Sequence, residues 1–388
     1  MNAQERVLKA LNHEEPDRVP YFESTFANNT IARHYGISPG NLGMLMKLLQ
    51  VLPFRHIIMR SVLQNRRNLA MGMRVFGKLY RNVGIDLAPT ITALFPKRIL
   101  KRGAFIDEFG RHMHFEYAAD GTEVVGYVGG AFKSFEDYES WEQPDPNWQA
   151  RINGFLAGRD IQKELHEEVF FIPSTTGLLE VTWEGFGINL FARLLKKTTQ
   201  ARKVFDDRGK FALEMVKILA ENDAKIILIF DDWGHKNGLF MRPQQFHQYI
   251  FPWFHQICDA AHKRDCKILL HSDGDLTEVL PDIVKCGVDA LNPIEPTTAN
   301  PEYNIFRIKR EFGRVLTLVG NISPVLLAVG EIHEIEDYAK RLLRECAPGG
   351  GYIFASGHSI NPAITLDRFE AMQKIRQVHG KYPLHVPE

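Results

Sequence analysis

The chain has 388 residues, a length that one elaborated α/β barrel can reach, and its 45% hydrophobic and 24% charged residues are the balance of an ordinary soluble globular protein. Lys plus Arg and Asp plus Glu each number 47, so the net charge is zero and no global field favours nucleic acid. No apolar run approaches the roughly 18 residues of a membrane span.

The amino terminus, Met1-Asn-Ala-Gln-Glu-Arg-Val-Leu-Lys-Ala-Leu11, carries charges inside its apolar pattern and has no secretory block, so a cytoplasmic protein is expected. Cys258, Cys266, Cys286 and Cys346 show no Cys-x-x-Cys spacing and read as reduced, buried thiols. Short β-type runs then recur along the chain. They are Val19–Phe22, a weaker one near Val83–Leu87, Val169–Ile172, Ile226–Phe230, Lys267–Leu270, Val288–Leu291, Val315–Val319 and Tyr352–Ala355. From the third onward, amphipathic patterns separate them, including Pro243–Lys263, Leu276–Lys285, Tyr303–Phe312 and Ile332–Glu345. Alternation of this kind predicts βα units and a parallel sheet, and eight such strands predict a closed (β/α)8 barrel.

Two insertions are expected on this single domain of residues 1–388. Asn41–Arg81 reads as helical and basic: no acidic residue falls between Glu23 and Asp86, while Arg33, Lys47, Arg55, Arg60, Arg66, Arg67, Arg74, Lys78 and Arg81 do. Such a block suits a docking surface or lid, or simply a solvated amphipathic face. Phe105–Phe132 alternates around the turn dipeptide Asp120-Gly121 and reads as a small antiparallel sheet.

A barrel of this type keeps its active site at the carboxyl ends of its strands. The polar residues read there are Glu23 and Ser24, Asp86, Ser174 to Glu180, Asp231, Asp232 and His235, His271 and Asp273, Asn292 and Glu295, Asn321 and Ser323, and Ser356, His358 and Asn361. His271, Asp273 and His358 are the candidate metal ligands. Imidazole and carboxylate donors are normal for Zn2+, and residues i and i+2 of an extended segment face alike. The structural alternative makes Asp273 a helix cap and His271 a hydrogen-bonded rim residue. Asp231-Asp232 offers a carboxylate for acid–base work, against the alternative of capping and an ion pair. His255, Cys258 and His262 share a helical face, but a barrel-covering helix is remote from the strand ends, so packing is expected there. Neither Gly320-Asn-Ile-Ser-Pro324 nor Gly349-Gly-Gly351 has a phosphate-loop signature.

Residues 5–20, Glu-Arg-Val-Leu-Lys-Ala-Leu-Asn-His-Glu-Glu-Pro-Asp-Arg-Val-Pro, together with Asp231-Asp-Trp-Gly234, His271-Ser-Asp-Gly-Asp-Leu276, Gly287-Val-Asp-Ala-Leu-Asn-Pro293, Gly320-Asn-Ile-Ser-Pro324 and Ser356-Gly-His358, resemble the uroporphyrinogen decarboxylase superfamily over nearly the whole chain. That resemblance implies a distorted (β/α)8 barrel and one of two activities: cofactor-free decarboxylation, or methyl transfer to or from a corrinoid protein with help from zinc. Decarboxylases of the superfamily carry Met-Arg-Gln-Ala-Gly-Arg after the first strand. Here Tyr21-Phe-Glu-Ser-Thr-Phe26 stands in that place, and a Glu with aromatic rings cannot replace guanidiniums that grip carboxylates bidentately. The coenzyme M methyltransferases of the superfamily bind zinc through His-x-Cys after the fifth strand and a later Cys. The matching positions here are His271, Asp273 and His358, which exchange both thiolates for harder donors.

The resemblance therefore implies a corrinoid-dependent methyltransferase of the O-demethylase type, with Zn2+ and a corrinoid (cobalamin) carried by a partner protein. A small methylated substrate, an aryl methyl ether, is the expected donor. Asp232, His235, His271 and Asp273 take the catalytic roles, and Glu23, Glu180, Trp183, Asp231, Asn321 and Ser323 the substrate-positioning ones. No nucleic acid and no membrane are expected as partners, and a homodimer stays open. Two alternatives stand beside this reading, a cofactor-independent decarboxylase and a noncatalytic barrel that binds a corrinoid or aromatic ligand.

Overall fold

The computed structural model describes residues 1–37, 61–100 and 103–387. Eight parallel strands close into a barrel in simple sequential order. They are Tyr21–Phe22, Leu87–Ile91, Phe170–Thr176, Ile226–Phe230, Lys267–His271, Ala290–Asn292, Thr317–Ile322 and Tyr352–Ser356. Every run read from the sequence corresponds to one of them, with the weak second one displaced: Val83 ends a helix, Arg66–Val83, which stops at Gly84 in the left-handed conformation, φ 81°. The strand begins only at Leu87.

Two apolar clusters follow from the period of two along each strand. Phe22, Leu87, Phe170, Ile172, Ile226, Leu228, Leu269, Ala290, Val319, Ile353 and Ala355 fill the barrel interior. Their neighbours Tyr21, Ala88, Phe171, Ile227, Ile229, Ile268, Leu270, Leu291, Leu318 and Phe354 face the surrounding helices. Ala3, Val7, Ala10 and Leu11 of the first helix, Ala3–Leu11, join the interior cluster. Val7 and Ala10 are fully buried, and the Gly351 amide before the eighth strand donates to the Ala10 carbonyl. This helix therefore closes the amino-terminal end of the barrel and leaves the carboxyl-terminal end as the mouth.

Asp86 is the clearest departure from expectation. It precedes the second strand and so sits at the closed end, where its carboxylate accepts from Arg6 and Arg18 at 2.7 Å each and from the Tyr21 amide at 3.0 Å. A strand's start and its end both carry polar residues, and a run misplaced by four residues exchanges them.

Of the expected helical insertion, residues 41–60 lie outside the described residues, and Arg66–Val83 is a helix. Two of its basic residues are answered by the acidic end of the helix Gln149–Glu164: Arg66 pairs with Asp160 and Arg74 with Glu164. The expected β insertion is a four-stranded antiparallel sheet of Pro96–Ile99, Ala104–Asp107, Arg111–Tyr117 and Glu123–Gly130, with Asp120-Gly121 at the turn between the last two. The pattern Pro243–Lys263 divides into helices Pro243–Tyr249 and Phe251–His262, with Pro252 in the first turn of the second. His262 on that second helix pairs with Asp289 at 2.9 Å, and all four cysteines are free and buried. No helix among the described residues is long and apolar enough to cross a membrane.

Candidate functional site

The inward parity of three adjacent strands carries straight into the mouth. Leu269 faces the barrel interior, so His271 and then Asp273 continue the same face of the fifth strand; Phe230 and Asp232 do so on the fourth, and Asn292 on the sixth. Among the described residues, Asp232, His271 and Asp273 form the group of potential ligands whose donor atoms lie within 4.8 Å of one another.

Hydrogen bonds fix each member. Asp232 Oδ1 accepts from the Asp273 amide at 2.9 Å. His271 Nδ1 lies 2.6 Å from Asn292 Oδ1, Asn292 Nδ2 donates to the Val319 carbonyl at 3.0 Å, and the Phe230 ring packs edge-on against the imidazole at 5.0 Å. His271 Nε2 is 4.0 Å from Asp273 Oδ1, a buried oxygen with no hydrogen-bond partner. A buried carboxylate oxygen is rarely left so, which makes this atom the strongest sign that a further group belongs between the three side chains. Gly274 lets the two loops meet: at φ 90° it lies where a Cβ would come within 2.1 Å of the Gly234 carbonyl carbon.

His358 takes a different place from the one expected. Its Nε2 is 3.4 Å from Asp273 Oδ2, on an exposed side chain, and it stands beside the cluster rather than inside it. Asp232, read from the sequence as an acid–base group, is the third member of the group of potential ligands. The donor set is one nitrogen and two carboxylates, a mixture that fits Zn2+, with the carboxylates also fitting harder cations.

A second layer of charge surrounds this group. Glu180 starts the helix Glu180–Phe186 just beyond the third strand, and its Oε2 accepts from the Asp232 amide at 3.4 Å. Burial, and after it the Asp232 charge, raises the Glu180 pKa well above the ordinary carboxyl range; burial and Asp273 do the same to Asp232. Arg111, from the antiparallel sheet, reaches Glu180 at 3.2 Å and Glu184 at 2.9 Å while its Nε holds Asp107 at 2.6 Å. The sequence reading did not single out Arg111. Nothing local marks it, since its role depends on the sheet folding back over the mouth.

The expected substrate-positioning residues divide. Trp183 is half-buried one turn beyond Glu180, stacked on Phe240 at 4.9 Å and met edge-on by Tyr127 at 5.4 Å, with a buried indole nitrogen that has no partner. His235 is exposed on the short hairpin after the fourth strand, its ring 5.3 Å from Phe240. Asp231 alternates with Asp232 and so turns away from the mouth. It is fully buried and accepts from the amides of Leu178, Leu179 and Glu180 and from Trp233 Nε1 at 2.7–2.9 Å. Asn321 is likewise buried, donating to the Ile294 carbonyl and accepting from Tyr338 Oη. Ser323 caps the helix Pro324–Val329. These three side chains hold the loops, with no donor or acceptor left turned to a ligand in Asp231.

Glu23 follows Tyr21 outward, between barrel and helices, where the Ser356 amide and hydroxyl donate to it at 3.0 and 2.5 Å. Burial raises its pKa from 4.5 to about 7. A raised carboxyl pKa favours the folded state at low pH: below 4.5 both states are protonated, and between 4.5 and about 7 only the unfolded state releases its proton. Stability should therefore fall by on the order of 3 kcal/mol across that window and then level. Urea denaturation at several pH values is expected to show this contribution in the wild type and a shallower slope in Glu23→Gln, with the other buried carboxyls Glu180 and Asp232 unchanged.

A family model described as "Uroporphyrinogen decarboxylase (URO-D)" matches residues 113–379. The chain belongs to this family. Its curated relatives include the uroporphyrinogen decarboxylases of Trichlorobacter lovleyi, 26% identical over 242 residues that cover 60% of this chain and 66% of that protein, and of Geobacter sulfurreducens, 26% identical over 201 residues that cover 50% and 55%. The aligned stretch thus spans between about half and two thirds of these relatives' length. Among solved structures, a methyltransferase from Methanosarcina mazei superposes with a TM-score of 0.66 at 19% identity, covering 97% of this chain and 98% of that one. The barrel fold is therefore shared along 97% of the chain, while identity at this level leaves the chemistry to the residues of the mouth.

Proposed function

We propose that this URO-D family member is a methyltransferase that moves a methyl group from a small aryl methyl ether to the cobalt of a separate corrinoid protein. The observation that carries the reading is the mouth's donor set, Asp232, His271 and Asp273, with the orphaned Asp273 oxygen. Such a site calls for a cation. The fold shared with the Methanosarcina mazei methyltransferase supports it.

The charge of the mouth argues against a porphyrinogen. Glu180, Glu184, Asp232 and Asp273 gather there, and among the described residues Arg111, whose guanidinium reaches two of them, is already held by Asp107, Glu180 and Glu184. A polycarboxylate would meet acidic groups there instead of paired, free guanidiniums. The observation favouring decarboxylation is the name of the curated relatives, uroporphyrinogen decarboxylase. The segment Tyr21–Phe26 lacks the arginines that name requires.

Zn2+ held by Asp232, His271 and Asp273 would supply a Lewis acid for the ether oxygen. The chain's own groups do the rest. As the methyl group passes to cobalt, the electron pair of the broken C–O bond stays on oxygen, and a proton must follow it. Glu180, kept protonated by burial and its acidic neighbours, lies against Asp232 and is placed to deliver that proton. His235 is the second candidate donor, at the rim. Trp183 and Phe240 offer the aromatic wall against which a methoxyarene ring would lie.

The test is incubation of zinc-loaded and chelator-treated protein with a panel of methoxyarenes and a reduced corrinoid protein, reading the phenol formed. Demethylation by the zinc form alone is expected, with a loss of at least about 100-fold on metal removal. Undiminished transfer without metal would remove zinc from the mechanism. Release of CO2 from a porphyrinogen or a smaller acid, with no methyl transfer, would replace the reading with the decarboxylase one.

A further inference from the structure

We infer that Asn292 is a positioning residue: it holds His271 in the Nδ1–H form and so makes Nε2 the ring atom presented to Asp273 and Asp232. The orientation of the Asn292 amide is set by Val319. Its carbonyl on the seventh strand accepts from Asn292 Nδ2 at 3.0 Å. A carbonyl oxygen can only accept, so this bond sets which end of the amide faces which way. Turning the amide over would set Asn292 Oδ1 against the Val319 oxygen, two buried acceptors with no hydrogen between them.

With the amide so fixed, the atom 2.6 Å from His271 Nδ1 is an oxygen. That oxygen requires a hydrogen on Nδ1, and the neutral ring then carries its lone pair on Nε2. Three features keep the ring there. His271 and Asn292 are paired in register across the fifth and sixth strands, both are buried, and Phe230 braces the imidazole edge.

The consequence falls on the 4.0 Å gap between His271 Nε2 and Asp273 Oδ1. In the Nδ1–H form both atoms are acceptors, and Asp273 Oδ1 has no other partner. Two facing lone pairs are stabilised by a cation between them. The opposite ring form would put a hydrogen in the gap and block it. Asn292 thus decides whether the site can take a metal, although it offers no ligand itself.

The part of this inference that concerns metal rests on the function proposed above, whereas the ring form does not, and the experiment separates them. Full-length, metal-free protein labelled with 15N-histidine is examined by long-range 15N–1H correlation above neutral pH, with the His271 signals assigned by their loss in His271→Gln. The Nδ1–H pattern is expected in the wild type and in Asn292→Asp, which keeps an acceptor at that place. Asn292→Leu is expected to lose the fixed pattern and, in chelator competition, to bind zinc roughly 10–100-fold more weakly. An Nε2–H pattern in the wild type overturns the inference even if neither variant folds, as does an unchanged pattern in Asn292→Leu. Should the Nδ1–H pattern hold while the wild type binds no zinc, the metal reading fails and the role of Asn292 in orienting the ring stands.

Discussion

Replacing His271 with Ala is expected to abolish zinc binding and to lower methyl transfer by about 1,000-fold, with the barrel intact. The size follows from what is removed. His271 supplies the one nitrogen of the donor set, and the two carboxylates that remain, Asp232 and Asp273, would compete for a cation without it. Loss of an electrophile at a developing oxyanion costs roughly 100–1,000-fold in rate. Structural damage should be modest: Asn292 Oδ1 loses its partner, a cost of about 1–3 kcal/mol. Metal content and single-turnover transfer rate on the same preparation check both halves. A variant that keeps its zinc would show that the ligands lie elsewhere, and one that loses zinc but keeps its rate would detach the metal from the chemistry.

Much of the barrel was legible because its strands are short apolar runs, several of which run straight into His, Asp or Gly, and a stop of that kind is visible without any partner. Lys267–His271 and Ile226–Phe230 fall where the residues placed them. The His-x-Asp spacing was legible for the same reason, since parity along a strand is local information. Parity also separates Asp232 from Asp231, but only once the end of the strand is known to the residue. The roles that escaped are those made by distant segments. Arg111 arrives from an excursion sheet, and Glu180 meets Asp232 across two loops. His358 looked equivalent to His271 in type, yet the backbone after the eighth strand carries it to the rim, where it meets Asp273 from outside. Asn321 and Ser323 lie at a strand end as expected, but their partners are carbonyls, a phenol and a helix terminus of the protein itself.

Asp231 carries the largest expected effect on stability, despite having no part in the proposed chemistry. Its two oxygens receive four N–H groups, three of them from the backbone at the start of the helix Glu180–Phe186 and one from the fully buried Trp233. Gly177 shows how tightly the carboxylate is enclosed, because a Cβ there would fall 2.3 Å from Asp231 Oδ2. Truncation to Ala leaves all four donors without the acceptor they share. Each orphaned buried donor costs about 1–3 kcal/mol, and relaxation recovers part of the sum, so Asp231→Ala should cost about 4 kcal/mol. Asp231→Asn keeps one accepting oxygen and should lose about half as much. The measurement is the shift in urea midpoint at constant slope. Function should follow structure: with its amide cap gone, Glu180 is no longer held against Asp232, and transfer should slow even at low denaturant-free temperatures where the variant is fully folded. A cost below about 1 kcal/mol for Asp231→Ala would mean that the donors find other acceptors, and that the mouth is supported by something other than this carboxylate.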